Sequence, residues 1–240
     1  MTRFLAALCL LLSASLQAAP ALHEDLPLSY LEHRGSTQDK PPLVIFLHGY
    51  GSNELDLFGL KDLLPQQYTY LSVRAPLTLA PGRYQWFRAH NEDTDYNGDT
   101  GDLKRSQQRL AGFVTQATAK YHTEPNRVVV VGFSQGAMMS YELALREPAL
   151  VRGIAALSGK ILPVVRTQVS TSPALQALAV FIGHGTADQR VQYWGATQAA
   201  SFLAPLKITP QFHSYPDMGH SISETEVIDL RLWLQKLLGA

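Results

Sequence analysis

The sequence has almost no cysteine, no excess of charge and no apolar run long enough to span a membrane. Its one cysteine, Cys9, lies near the amino terminus, so the rest of the chain offers no disulfide, thiolate nucleophile or cysteine-ligated metal. Lys and Arg together number 20, as do Asp and Glu, which leaves no electrostatic case for binding nucleic acid or an anionic membrane surface. With 46% hydrophobic residues, the 240-residue chain is instead typical of one globular domain.

The first 19 residues have the pattern of an export signal. Arg3 supplies a positive charge, residues 4–12 are apolar, and small residues surround a cleavage point after Ala18 or Ala19. The apolar run is too short to serve as a stable membrane anchor. We therefore expect an exported protein, periplasmic or secreted, whose mature form is a single domain over residues 20–240.

A strand, a glycine-rich turn and a helix follow one another within residues 127–146. Residues 128–131 are four consecutive valines, a run typical of a parallel strand buried on both faces. Residues 132–136 read GFSQG, and helix formers continue almost to Pro148. A G-x-S-x-G turn between strand and helix is typical of a nucleophile elbow, in which the serine stands exposed at the carboxyl end of the strand. Ser134 is therefore the predicted nucleophile.

Strand-like and helix-like segments alternate along the remaining chain. Further strands are predicted at residues 43–47, 70–74, 153–157, 178–182 and 208–215. Further helices are predicted at residues 53–64, 103–121, 191–203 and 223–238. Asn53 and Asp102 are the predicted N-caps of the first two, and residues 75–101 are expected to be irregular. This alternation predicts an α/β fold with a mostly parallel sheet and helices on both faces.

The chain beyond Ser134 supplies a carboxylate and an imidazole in the order that an elbow serine requires, which is nucleophile, acid, base. Only two aspartates, Asp188 and Asp217, lie between Ser134 and the last histidine, His220. Asp188 follows the strand at residues 178–182 and His220 follows the last strand, so both fall at the carboxyl edge of the sheet. The imidazole must take the serine proton and a buried carboxylate must hold the imidazole, which predicts a triad of Ser134, His220 and Asp188.

Other acidic and histidine side chains fit these roles less well. Asp217 comes directly after Pro216, a pattern typical of a turn. The remaining side chains, which we interpret as structural, are Glu142 and Glu147 on the elbow helix and His48, His184 and His213 within or after strands. No histidine spacing typical of a metal site occurs, so we predict neither a metal nor a cofactor.

Six motifs occur in one order across nearly the whole chain beyond the export signal. They are LHGYGSN (47–53), WF (86–87), GFSQGA (132–137), ALSG (156–159), GTAD (185–188) and MGH (218–220). Together they resemble the phospholipase/carboxylesterase family, the α/β-hydrolases that include the acyl-protein thioesterases. The resemblance implies an α/β-hydrolase fold, the same triad, and an oxyanion hole formed by the backbone N–H groups of Tyr50 and Gln135. The glycines at 49 and 51 suit a backbone that approaches a substrate closely.

The predicted activity is cleavage of a small-molecule carboxylic ester through an acyl-enzyme. The same triad serves thioesterases and lysophospholipases, which are the alternatives among enzymes; a non-catalytic binding module of the same fold is the alternative outside them. The insert at residues 75–101 is too short and too polar for a large lid, which favours short to medium acyl chains. Trp86 and Phe87 either anchor this insert in the core or line the substrate pocket.

Residues 93–99 (DTDYNGD) match the first half of a calcium loop of the D-x-[DN]-x-[DN]-G type. The twelfth position counted from Asp93 is Lys104, where such a loop needs a bidentate glutamate. We therefore interpret the segment as a solvated loop, with a weak calcium site of another type as the alternative.

Overall fold

The computed structural model describes residues 20–36, 39–90 and 97–239, and an eight-stranded sheet forms its centre. In chain order the strands are β1 (Leu22–His23), β2 (Tyr30–His33), β3 (Leu43–Leu47), β4 (Thr69–Val73), β5 (Leu77–Ala80), β6 (Arg83–Gln85), β7 (Ala89–His90), β8 (Asn97–Gly98), β9 (Val128–Phe133), β10 (Gly153–Leu157), β11 (Ala179–Gly185) and β12 (Gln211–Tyr215). The helices are α1 (Thr100–Lys120), α2 (Gln135–Arg146), α3 (Pro163–Arg166), α4 (Pro173–Gln176), α5 (Trp194–Leu203) and α6 (Glu224–Leu238). The export signal predicted at residues 1–19 lies outside the described residues.

The strand order in the sheet is β1-β2-β4-β3-β9-β10-β11-β12. The strands from β4 to β12 in this order pair in parallel, whereas β1 and β2 join the β4 edge antiparallel. The sequence pattern does not predict β1 and β2, because two to four residues are too few to show a period. Parallel strands end at one edge of the sheet, so the loops after β3, β9, β11 and β12 meet there.

Side chains of the parallel strands alternate between two hydrophobic layers, one on each face of the sheet. Ile45 and Val130 belong to the layer that contains residues of α1, α2 and α5, whereas Phe46 and Val131 belong to the layer that contains residues of α6. Both layers are buried, which explains the unbroken apolar runs in β3 and β9. The predicted α/β fold is confirmed, and the described residues contain no large lid.

The prediction of a helix at residues 53–64 is wrong. A short 3₁₀ helix at Phe58–Asp62 and a series of turns occupy this segment. Asn53 does not cap a helix: its Oδ1 accepts from the Leu55 N–H at 2.9 Å, and its Nδ2 donates to Gly82 O at 2.9 Å. The Asn53 side chain closes a local turn and bonds to the loop at Gly82. These hydrogen bonds compete with the helical conformation, so no helix begins at Asn53.

The stretch at residues 75–101 is more regular than the sequence predicts, since β5 pairs with β6 and β7 with β8. The N-cap of α1 is Asp99 rather than Asp102, because Asp99 Oδ1 accepts from the Asp102 N–H at 2.8 Å. The buried Asp102 carboxylate accepts from Arg88 Nε at 2.7 Å and from Arg105, and the Arg88 guanidinium holds the pKa of Asp102 below its usual value. Residues 93–96 of the calcium-like segment lie outside the described residues.

Glu226, in the first turn of α6, is fully buried against Gly183, and neither of its carboxyl oxygens has a hydrogen-bond partner among the described residues. Burial raises the pKa of Glu226 from 4.5 to about 8. The folded state therefore keeps a proton that the unfolded state releases near pH 4.5. The contribution of Glu226 to the free energy of unfolding is therefore fully present below pH 4.5 and is lost as the pH rises through about 8.

We therefore expect Glu226→Gln to reduce the fall in unfolding free energy between pH 5 and 8. The variant should remove at most about 1.4 kcal/mol per pH unit from the slope of unfolding free energy against pH, because the folded and unfolded states differ by one bound proton. Urea denaturation at a series of pH values measures it. Glu224→Gln, at an exposed position in the same turn, is the matched control. If both variants changed the slope equally, the buried carboxyl would not be its source.

Candidate active site

Ser134 stands at the turn between β9 and α2, with φ 54° and ψ −116°. This conformation is uncommon for a residue with a side chain and costs about 1–3 kcal/mol, which the surrounding structure must supply. The Ser134 N–H donates to Leu157 O at 2.9 Å. A Cβ at Gly136 would lie 2.0 Å from Leu47 O, so the start of α2 can approach β3 only with glycine there. The elbow motif is therefore required by close packing as well as by the sharp turn.

The structure brings Ser134, His220 and Asp188 into one hydrogen-bonded series. Ser134 Oγ lies 2.9 Å from His220 Nε2, and His220 Nδ1 lies 2.7 Å from Asp188 Oδ2. The Asp188 carboxylate is buried, and its Oδ1 accepts from the N–H groups of Arg190 at 2.8 Å and Val191 at 3.0 Å. Since a carboxylate only accepts, His220 Nδ1 donates to it and His220 Nε2 is left to accept the serine proton.

Asp217, the other candidate acid, occupies the turn that precedes His220. Its φ is 58°, its side chain is exposed, and its N–H donates to Thr186 Oγ1 at 3.1 Å. Asp217 thus has the geometry of a turn residue, whereas Asp188 is the carboxylate in hydrogen-bond contact with His220.

The loop after β3 lies close to Ser134. A Cβ built at Gly49 would lie 3.3 Å from the Cβ of Ser134, which shows how near the two backbones come. His48 supports this loop: its Nδ1–H donates to Gly49 O at 2.7 Å and its Nε2 accepts from the Ala75 N–H at 3.1 Å. Burial lowers the pKa of His48, which therefore stays neutral. Its observed hydrogen bonds agree with the predicted structural role.

Trp86 and Phe87 are not among the residues that line the cavity beside Ser134, so the interpretation of the two residues as pocket wall is wrong. Both side chains are fully buried in the core, and Trp86 Nε1 donates to His48 O at 3.0 Å. Gln135 holds their backbone, since its Oε1 accepts from the Trp86 N–H at 2.7 Å and its Nε2 donates to Phe87 O at 2.7 Å. These hydrogen bonds connect the WF motif to the elbow and to the loop after β3, a link that sequence order does not reveal.

A cavity of about 1100 Å³ opens in front of Ser134 and His220. Its larger apolar side chains are Tyr50, Leu79, Phe133, Met138, Val191 and Trp194. Its charged side chains are Asp56, Arg88, Lys160 and Arg190. The Lys160 ammonium lies 5.8 Å from the centre of the Trp194 ring. The cavity therefore has an apolar wall of limited extent that charged side chains interrupt.

His213 and His184 are the other two histidines that we predict to be structural. His213 lies on β12, with Nδ1 3.1 Å from Asp229 Oδ2 and its ring stacked on Phe181. His184 is fully buried, and its Nε2 lies 2.7 Å from Val191 O and 3.3 Å from Asp188 Oδ2. His184 is thus hydrogen-bonded, as predicted, but it also contacts the carboxylate that holds His220. The spacing of four residues in HGTAD is the only sequence signal of that contact.

The described residues contain no group of three or more His, Cys, Asp or Glu side chains placed to hold a metal ion. None of their helices is long and apolar enough to cross a membrane.

The chain is similar in sequence and in structure to known esterases and thioesterases. The family model described as phospholipase/carboxylesterase matches residues 34–238. The chain is 33% identical over 221 residues to acyl-protein thioesterase 1 of Mycosarcoma maydis, covering 82% of this chain and 91% of that protein. It is 28% identical to lysophospholipase-like protein 1 of Mus musculus, covering 80% and 84%. The crystal structure of esterase PE8 superposes with a TM-score of 0.75 at 27% identity, covering 88% and 99%. The Bacillus cereus carboxylesterase gives 0.75 at 25%, covering 88% and 94%.

Proposed function

Because the chain belongs to the phospholipase/carboxylesterase family of α/β-hydrolases and is a serine hydrolase of carboxylesterase type, we propose that Ser134, His220 and Asp188 form its catalytic triad. The observation that carries the proposal is the hydrogen-bonded series from Ser134 Oγ through the His220 ring to Asp188, at a strained elbow that faces a cavity. The oxyanion is assigned to the backbone N–H groups of Tyr50 and Gln135, since the loop after β3 comes close to Ser134.

The chemistry follows from these contacts. Ser134 Oγ attacks the carbonyl carbon of the ester while His220 Nε2 takes the hydroxyl proton, and Asp188 stabilises the resulting imidazolium. The tetrahedral intermediate then collapses: the bond from carbon to the alcohol oxygen breaks, and the alcohol leaves with the proton from His220. A water molecule, deprotonated by His220 Nε2, then attacks the acyl carbon. The bond from that carbon to Ser134 Oγ breaks, His220 returns the proton to Oγ, and the carboxylic acid leaves.

A thioester substrate fits this site equally well, since the triad does not distinguish an alcohol from a thiol leaving group. The similarity to an acyl-protein thioesterase supports this second candidate. The deciding experiment is a panel of acyl esters, acyl thioesters and lysophospholipids on the purified chain, together with a fluorophosphonate probe. Labelling of Ser134 with turnover of one class supports catalysis. Absence of both labelling and turnover would indicate a binding module of the same fold.

We propose that the enzyme prefers short to medium acyl chains, about C2 to C8. Each buried CH₂ contributes about 0.8 kcal/mol only while apolar wall remains to cover it. Leu79 and Trp194 provide such wall, and Arg88, Lys160 and Arg190 interrupt it. In a p-nitrophenyl ester series below the micellar limit, kcat/KM should rise by about 4-fold per CH₂ and then level off.

Trp194→Ala should shift that plateau toward shorter chains, because it removes apolar wall. Leu232→Ala is the matched control, since Leu232 is an exposed apolar residue on α6 that does not line the cavity. A steady rise in kcat/KM to C16 in the wild-type enzyme would contradict the proposal and would require a long acyl channel.

We also propose that residues 1–19 direct export to the periplasm or the medium. Their composition, with one positive residue before an apolar run and small residues at the end, supports this. Amino-terminal sequencing of the exported protein checks it, with cleavage expected after Ala18 or Ala19.

A further inference from the structure

His184 occupies an unusual position for a histidine outside the triad. It lies near the end of β11, four residues before Asp188, and its side chain is fully buried. Its Nε2 is 2.7 Å from Val191 O and 3.3 Å from Asp188 Oδ2, the same oxygen that accepts from His220. His184 Nε2 therefore contacts both the Asp188 carboxylate and Val191 O, which lies at the other end of the Asp188–Val191 turn.

These contacts determine the proton arrangement of His184. A backbone carbonyl can only accept, so His184 Nε2 carries a hydrogen and donates it to Val191 O, and the same nitrogen lies 3.3 Å from Asp188 Oδ2. Nδ1 is buried and has no hydrogen-bond partner among the described residues, so a second proton there would place an unsatisfied donor in the core. Burial also lowers the pKa of His184. The ring is therefore the neutral Nε2–H tautomer.

We infer that His184 is a positioning residue for the acid of the triad, an assignment that rests on the proposed function. Because β11 is held between β10 and β12, its end is a rigid support from which the His184 N–H fixes the Asp188–Val191 turn. The dipole of the same N–H lies beside the charge on Asp188 Oδ2, the oxygen that accepts from His220. The titratable groups that face His184 are Asp188, His220 and Tyr193, whose ring meets that of His184 edge to face.

Two variants test whether activity requires the N–H donor of His184 or only the volume of its ring. His184→Phe keeps a ring of similar size without a donor, and His184→Gln places an amide N–H near the position of Nε2. We expect His184→Phe to lower kcat by about 10- to 100-fold with KM nearly unchanged, because a small misplacement of a catalytic group lowers the rate of the chemical step by up to about 100-fold. His184→Gln should restore most of the rate. His213→Gln, on the adjacent strand β12, is the matched control and should keep wild-type activity.

The pH profile separates positioning from packing. Without the His184 donor, the Asp188 charge acts more strongly on His220 and favours the imidazolium. The acid limb of kcat/KM should therefore move to higher pH in His184→Phe and return in His184→Gln. If both variants fold and keep the wild-type kcat and profile, or if both lose activity equally, the inference is overturned.

A spectroscopic measurement keeps the inference testable if His184→Phe does not fold. In the wild-type protein with ¹⁵N-labelled histidine, assigned by loss of the signal in His184→Gln, we expect a neutral Nε2–H ring near neutral pH. A ring that carries its proton on Nδ1, or that is protonated on both nitrogens near neutral pH, would overturn it. Wild-type protein inactive on every ester and thioester would instead contradict the proposed function, while the tautomer would still report on His184.

Discussion

Replacing Ser134 with alanine is expected to lower kcat by about 10⁴- to 10⁶-fold while the protein remains folded. The substitution removes the Oγ that lies 2.9 Å from His220 Nε2, so no acyl-enzyme can form. His220→Ala should cost about as much, because the serine then has no base. The double variant should be no worse than either single variant, since all three lack the same step.

The fold should tolerate both changes. Alanine keeps the Cβ of Ser134, so it meets the same backbone strain at φ 54° as serine does. Steady-state ester hydrolysis and fluorophosphonate labelling measure the loss, and the melting temperature checks the fold. Ser201→Ala on α5 and His213→Ala on β12 are controls of the same residue types, and both should keep wild-type turnover. A Ser134→Ala enzyme that retained more than about 1% of kcat would contradict the assignment of the nucleophile.

Asp188→Asn is expected to lower kcat by about 10⁴-fold, and the geometry explains why an almost isosteric change is so costly. The Arg190 and Val191 N–H groups donate to Oδ1, so the asparagine carbonyl would take that position and its NH₂ would face His220 Nδ1. His220 would then need its proton on Nε2 and could no longer accept one from Ser134. The same NH₂ would oppose the His184 N–H, donor against donor.

Asp217→Asn is the matched control for the acid. Asp217 is exposed, and the contact that its turn makes with Thr186 runs through its backbone N–H, which the change preserves. We expect kcat within about 3-fold of the wild type, because surface substitutions away from a functional contact have small effects. A crippled Asp217→Asn enzyme beside a nearly normal Asp188→Asn enzyme would show that the acid is misassigned.

Strands were the most predictable elements, and side-chain partnerships were the least. The predicted bounds of β3 and β10 are those observed, because an apolar run buried on both faces is a local property of the sequence. The segment at residues 53–64 is different, since its side chains suit a helix but Asn53 bonds to Gly82 across 29 residues. Asp99 and Asp102 both suit a helix N-cap, and the contact of Asp102 with Arg88 selects between them.

The sequence by itself determined the parallel α/β sheet, the elbow around Ser134 and the order of its candidate partners, because strand burial, glycine at a sharp turn and chain order are local or one-dimensional properties. The tertiary structure set the distances from His220 to Asp188 and to Ser134, since those contacts join residues 32 and 86 apart. It also placed Trp86 and Phe87 in the core, where Gln135 holds their backbone, and set His184 against Asp188. Those outcomes depend on which loops the sheet edge brings together, and no local pattern specifies that geometry.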